Sequence, residues 1–185
     1  LQTVLSDGRL LRLDFGIFAL HLVLTAMFLV FPTLLQNRLG LPASSHWWFY
    51  LTVMVASFFA MVPFIIVGEK KRRMKPVFCG AIALLALSTA CVGALGGGLA
   101  MAWGVLFFFF MAFNLLEASL PSLVSKESPA AAKGTAMGVY STSQFFGAFL
   151  GGAVGGILLE QLGLQGVLWF IVVALLIWLA VALTM

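Results

Sequence analysis

Apolar residues fill this chain in long blocks, separated at short intervals by clusters of charge, proline or glycine. A helix needs about 20 predominantly apolar residues to cross a bilayer core. On that measure six spans are predicted, at roughly 14–37, 46–68, 76–96, 99–124, 132–159 and 165–185. The longest apolar region, 77–124, holds one charged residue, Glu117. As a single helix it would be about 70 Å long, twice the thickness of a bilayer core. It must turn, and Gly96-Gly97-Gly98 is where the turn is expected. Ser128 followed by Pro129 reads as an N-cap and first helical position leading into the fifth span.

Composition turns these spans into a membrane assignment. Of 185 residues, 63% are hydrophobic and 9% are charged, against about 25% charged in an ordinary soluble domain. A soluble chain of this size has too little interior to hide so much apolar surface. The expected class is an all-α integral membrane protein with six transmembrane helices. The first dozen residues hold Asp7, Arg9 and Arg12 and do not form a secretory signal. Position 1 is leucine, which fits a fragment or processed piece. Cys79 and Cys91 lie twelve residues apart in one apolar block, about 18 Å along a helix, too far to bridge.

The net charge of +4 does not call for a nucleic acid, because the basic residues lie where topology needs them. With the N-terminus inside, Arg9, Arg12, Lys70, Lys71, Arg72, Arg73, Lys75, Lys126 and Lys133 are cytoplasmic, and Arg38 alone is outside. Trp47, Trp48, Trp103 and Trp169 then fall near outer helix ends, as an aromatic belt requires. Both termini of the chain are expected in the cytoplasm.

A faint repeat runs through the spans. "FPTLLQ" at 31–36 resembles "LPSLVS" at 120–125, an offset of 121 − 32 = 89 residues. "SFFA" at 57–60 resembles "QFFG" at 144–147, an offset of 144 − 57 = 87. Nearly equal offsets across three spans suggest two three-helix units, the second entering the membrane from the opposite side. Such 3+3 inverted repeats are a transporter device.

Two stretches carry further chemistry. In "KGTAMGVYSTSQFFGAFLGGAVGGILLEQLG", 133–163, Gly147, Gly151 and Gly155 recur every four residues and make a smooth face for a neighbouring helix. Upstream on that helix is a polar cluster, Tyr140, Ser141, Ser143 and Gln144. Tyr140 and Gln144 share a face and suit either a ligand or another helix. The second stretch, "GEKKRRMK" at 68–75, is a tight basic turn that holds topology and meets anionic headgroups.

At these residues a family resemblance enters. "LLEASLPSLVS", "KGTAMGVYSTSQF" and "GGILLEQLGLQGVLWF" resemble the C-terminal six helices of a major facilitator superfamily (MFS) transporter, closest to the YajR-like branch of bacterial drug:proton antiporters. The basic turn resembles in placement the loop joining the second and third helices of each half of such proteins, although it departs from that loop's usual pattern. The resemblance implies that residues 1–185 are the C-terminal six-helix bundle of a twelve-helix protein of the bacterial inner membrane, partnered by an N-terminal six-helix half. It further implies transport of a small-molecule substrate, and the lipid bilayer as surroundings. The superfamily's antiporter signature belongs to the half absent here.

In such transporters the first helix of each three-helix unit lines a central cavity, which by resemblance means the spans at 14–37 and 99–124. Their intramembrane polar residues are His21 and Thr25, and Asn114 and Glu117, each pair spaced to share a helix face. His21 and Glu117 each lie about seven residues, or roughly 10 Å, from an inner span end and fit one layer. Charged groups within the membrane are costly and face a cavity or a partner. Glu117 is therefore a candidate proton or cation site, or else a partner of inner basic residues that closes a gate. With Tyr140 and Gln144, these residues make up the expected substrate or proton pathway. No nucleophile or metal-ligand constellation stands out, so neither an enzyme nor a cofactor is expected. The leading expectation is secondary transport, efflux with proton coupling; the alternatives are an uptake permease or a non-transporting lipid-handling or scaffold bundle.

Overall fold

The computed structural model describes residues 2–93 and 98–185, and every regular element among them is helical. A single turn, α1 (Gln2–Leu5), precedes α2 (Gly8–Asn37), α3 (His46–Lys70), α4 (Met74–Gly93), α5 (Gly98–Glu127) and α6 (Lys133–Leu183), with 3-10 turns at Ala43–Ser45 and Ala130–Ala132. Five of these helices are long and apolar enough to cross a membrane. Helices meet the bilayer's demand that every backbone N–H and C=O be bonded within the segment. Pro32, Pro63 and Pro121 sit inside α2, α3 and α5 without ending them, as transmembrane helices tolerate.

The helix ends depart from the predicted spans for local reasons. α2 begins at Gly8 rather than near 14, because the Asp7 side chain accepts from Arg9 N at 2.8 Å and caps it. Charge takes the first turns of a helix out of hydrocarbon without ending the helix. Of the expected glycine turn, Gly96 and Gly97 lie outside the described residues, and Gly98 opens α5 with φ 84°. Ser128 and Pro129 do not cap the next long helix. The Ser128 hydroxyl donates back to Val124 O at 2.5 Å, completing the end of α5, and Pro129 is extended (ψ 141°) ahead of the 3-10 turn.

α6 is interrupted. Gly163 has φ 67° and ψ −167°, a non-helical conformation that only glycine adopts readily. Gly147 meets Phe18 and the Trp178 ring lies beside Gly16, so residues 31 positions apart in α6 touch the same stretch of α2. The run therefore folds back at Gly163 into two antiparallel arms, 133–162 and 164–183. The first arm runs parallel to α2, with Gly147, Gly151 and Gly155 against Phe18, Leu22 and Ala26 in register. The second runs antiparallel to α4, with Leu168 near Gly93 and Trp178 edge-on to Phe78 at 5.9 Å.

The core lies around α2, α5 and the second arm, where Leu20, Val23, Met27, Phe31, Phe109, Leu116, Ile171 and Trp178 are buried. One end of the bundle is basic and carries ion pairs Lys126–Glu69 (2.7 Å) and Arg9–Glu127 (2.9 Å). At the other end Trp47, Trp48 and Trp169 are exposed, and Trp103 Nε1 donates to Thr52 Oγ1 at 3.1 Å.

Candidate functional site: a polar layer between three helices

Asp14, His21 and Thr25 are spaced seven and four apart on α2 and fall on one face. That face meets the first arm of α6, because the glycine stripe there lets the two backbones approach closely. A Cβ on Gly147 would collide with the Phe18 carbonyl, and one on Gly151 with the Leu22 carbonyl and Thr25 Oγ1. Close approach brings the polar side chains of the two helices into bonding range.

His21 is the centre of the layer. The Gln144 amide donates to His21 Nε2 over 2.8 Å, which leaves the proton of a neutral ring on Nδ1. Nδ1 faces Glu117 Oε2 of α5 at 3.8 Å, within ion-pair range and beyond a hydrogen bond. The two side chains are 14% and 37% exposed, so the pair is inside the bundle with one flank open. Among the described residues Glu117 pairs with His21 and with no basic residue of the inner end.

Tyr140, one turn before Gln144, is 5% exposed. Seven buried side-chain nitrogen and oxygen atoms lack a hydrogen-bond partner among the described residues; three belong to this layer, His21 Nδ1, Glu117 Oε2 and Tyr140 Oη, and two are the oxygens of Asp14, about 10 Å further along α2. Buried polar atoms are normally bonded. Their concentration here marks a place suited to exchanging protons or receiving a polar group.

The remaining candidates serve as links. Thr25 Oγ1 lies 2.9 Å from His21 O and 3.0 Å from Ala148 O, and its one proton ties α2 to α6. Asn114 Nδ2 donates to Ser57 Oγ at 3.3 Å, tying α5 to α3. Asn114 and Glu117 are spaced to share a face, yet they serve different neighbours. Three residues of helix leave them about 60° apart, and α5 packs against both α3 and α2.

Two residues escaped the sequence reading. Asp14 stands at the predicted edge of the first span, but it is 5% exposed, about 10 Å from His21 along the same face of α2; its spacing of seven from His21 was the available signal. Ser57, fully buried, had none beyond its place in the repeat. No three His, Cys, Asp or Glu side chains gather closely enough among the described residues to hold a metal ion.

Comparison with known proteins agrees with this architecture. The profile of the Major Facilitator Superfamily matches residues 1–152. The chain is 46% identical over 187 residues to the inner membrane transport protein YajR of Escherichia coli (strain K12), an alignment covering 98% of this chain and 40% of that protein. It is 30% identical over 177 residues to an uncharacterized transporter of Buchnera aphidicola subsp. Baizongia pistaciae, covering 95% of this chain and 45% of the relative. The chain thus spans less than half the length of these curated relatives. A bundle of apolar helices around a buried polar layer, matched by the family profile over most of its length and by a transport protein over nearly all of it, is a multi-pass membrane protein that belongs to the Major Facilitator Superfamily.

Proposed function

We propose that this chain is the C-terminal six-helix half of a twelve-helix secondary transporter in a bacterial inner membrane, exporting small amphipathic solutes by alternating access in exchange for protons. The two arms of α6 count as separate spans, and the N-terminal half supplies the other wall of the cavity. The length of the relatives supports this division. So do the interhelical links. Under the repeat, Asn114 and Ser57 correspond to Thr25 and Gln144 (114 − 25 = 89; 144 − 57 = 87), and both sets of positions tie the first helix of one unit to the second helix of the other. The clustering of basic side chains at one end supports cytoplasmic placement of both termini of this fragment.

The observation that carries the reading is the Glu117–His21–Gln144 array. A fixed charge at this depth opposes any rearrangement that would seal it from water. A carboxyl group that takes up a proton on one side and releases it on the other removes that barrier. His21 Nδ1 faces Glu117 and serves as the exchange partner. Gln144 holds the ring in either state, because its amide donates to a neutral Nε2 and, turned over, accepts from a protonated one. Tyr140 and Asp14 add buried polar atoms on α6 and α2, while Thr25 and Asn114 keep the helices in register.

Glu117→Gln in the complete transporter tests this in proteoliposomes. Substrate-driven proton movement should fall far more than substrate binding. Proton flux equal to that of the parent protein would remove Glu117 from the coupling path.

A further inference from the structure

At the basic end of the bundle, the starts of α2 and α4 and the ends of α5 and α6 enclose a cleft of about 240 Å³. That is several times the roughly 30 Å³ share of one water, with room for a phosphodiester and part of its glycerol. Arg9, Arg12, Lys75 and Glu127 line it, and Leu13 and Phe78 contribute apolar wall. Three cations against one carboxylate leave a formal charge of +2.

The cations are unequally committed. Arg9 is held by Glu127 at 2.9 Å. Arg12 has no ion-pair partner among the described residues. Lys75 spends one of its three donors on Leu183 O at 2.9 Å. The first turn of α4 also opens here, and the N-terminus of a twenty-residue helix adds positive potential of its own.

We infer that this cleft is a binding site for an anionic phospholipid, with Arg12 and Lys75 on the phosphate and the start of an acyl chain along the apolar wall. Cationic rim and apolar wall together select an amphiphile, because a free phosphate leaves the wall unused. Position selects a lipid. Four membrane-spanning segments begin or end at this cleft, so it lies at the level where hydrocarbon gives way to headgroups. Charge selects an anionic lipid, since a phosphatidylethanolamine headgroup brings its own ammonium to a site already at +2. Glu127 opposes the ligand both by repulsion and by occupying Arg9.

The complete transporter, purified in detergent, is titrated with phosphatidylglycerol and with phosphatidylethanolamine, and bound lipid is counted by native mass spectrometry. Phosphatidylglycerol should bind tighter. A basic residue near a membrane surface contributes about five-fold in affinity for anionic lipid, so Arg12→Gln with Lys75→Gln should weaken binding by about thirty-fold. Arg72→Gln, in the exposed turn outside the cleft, should leave it unchanged, and Glu127→Gln should strengthen it about five-fold. The gain at Glu127 and the comparison of lipids on the parent protein stay informative if the double variant fails to fold. Equal binding of the two lipids overturns the proposal. So does equal weakening by Arg72→Gln, which would mean diffuse surface charge. Displacement of phosphatidylglycerol by millimolar inorganic phosphate would assign the cleft to free phosphate and overturn the lipid.

Discussion

A single methyl group at Gly147 tests the packing on which the polar layer depends. In Gly147→Ala the new Cβ would occupy the space of the Phe18 carbonyl, which is backbone and has no rotamer to yield. α2 and the first arm of α6 must then part, by on the order of 1 Å for a methyl in place of a hydrogen. Overpacking of this kind costs about 1–3 kcal/mol. The same displacement stretches two flanking bonds, Gln144 to His21 at 2.8 Å and Thr25 to Ala148 at 3.0 Å, past the length at which they hold. Interhelical hydrogen bonds in membranes contribute about 0.6 kcal/mol each. The total loss is about 2–4 kcal/mol by these principles. Gly152→Ala is the control, because a Cβ there meets open space and alanine gains about 1 kcal/mol of helix propensity. Unfolding of the complete transporter in mixed micelles of rising SDS content, followed by tryptophan fluorescence, should give an earlier midpoint for Gly147→Ala and a parental or later one for Gly152→Ala. Coincident midpoints would refute the close approach of these two helices.

Two further changes probe the frame around the site. Gly163→Ala should cost about 1–3 kcal/mol in the same unfolding assay although nothing crowds the position, because its φ of 67° and ψ of −167° lie where side-chain-bearing residues are strained; a neutral result would show that the reversal in α6 does not need that conformation. The ion pair of Lys126 with Glu69, at 2.7 Å with both side chains about half exposed, should give a coupling of no more than about 1 kcal/mol in a double-mutant cycle with alanine, fading in high salt.

How much of this was legible beforehand differs between fold and site. The length and apolarity of the blocks made membrane helices unavoidable, and "LLEASLPSLVS" with "KGTAMGVYSTSQF" was enough to place the family. His21, Glu117 and Gln144 were visible as polar residues in apolar surroundings. Their mutual contact was not, since Gln144 is 123 residues from His21 and no local rule relates them. Asp14 was hidden by its position. At the edge of an apolar block a carboxylate looks solvated, and only tertiary packing around α2 buries it. Spacing along one helix could not show that Asn114 and Glu117 meet different neighbours, Ser57 of α3 and His21 of α2.

Sequence alone therefore determined what the bilayer dictates: helical spans, the end that carries the charge, and the few polar groups kept inside at a cost. Those follow from transfer free energies that act residue by residue. Tertiary structure decided which of the polar groups meet. That choice was made by backbone approach at Gly147 and Gly151, which sets α2 and α6 in register and turns separate anomalies on three helices into one layer around His21.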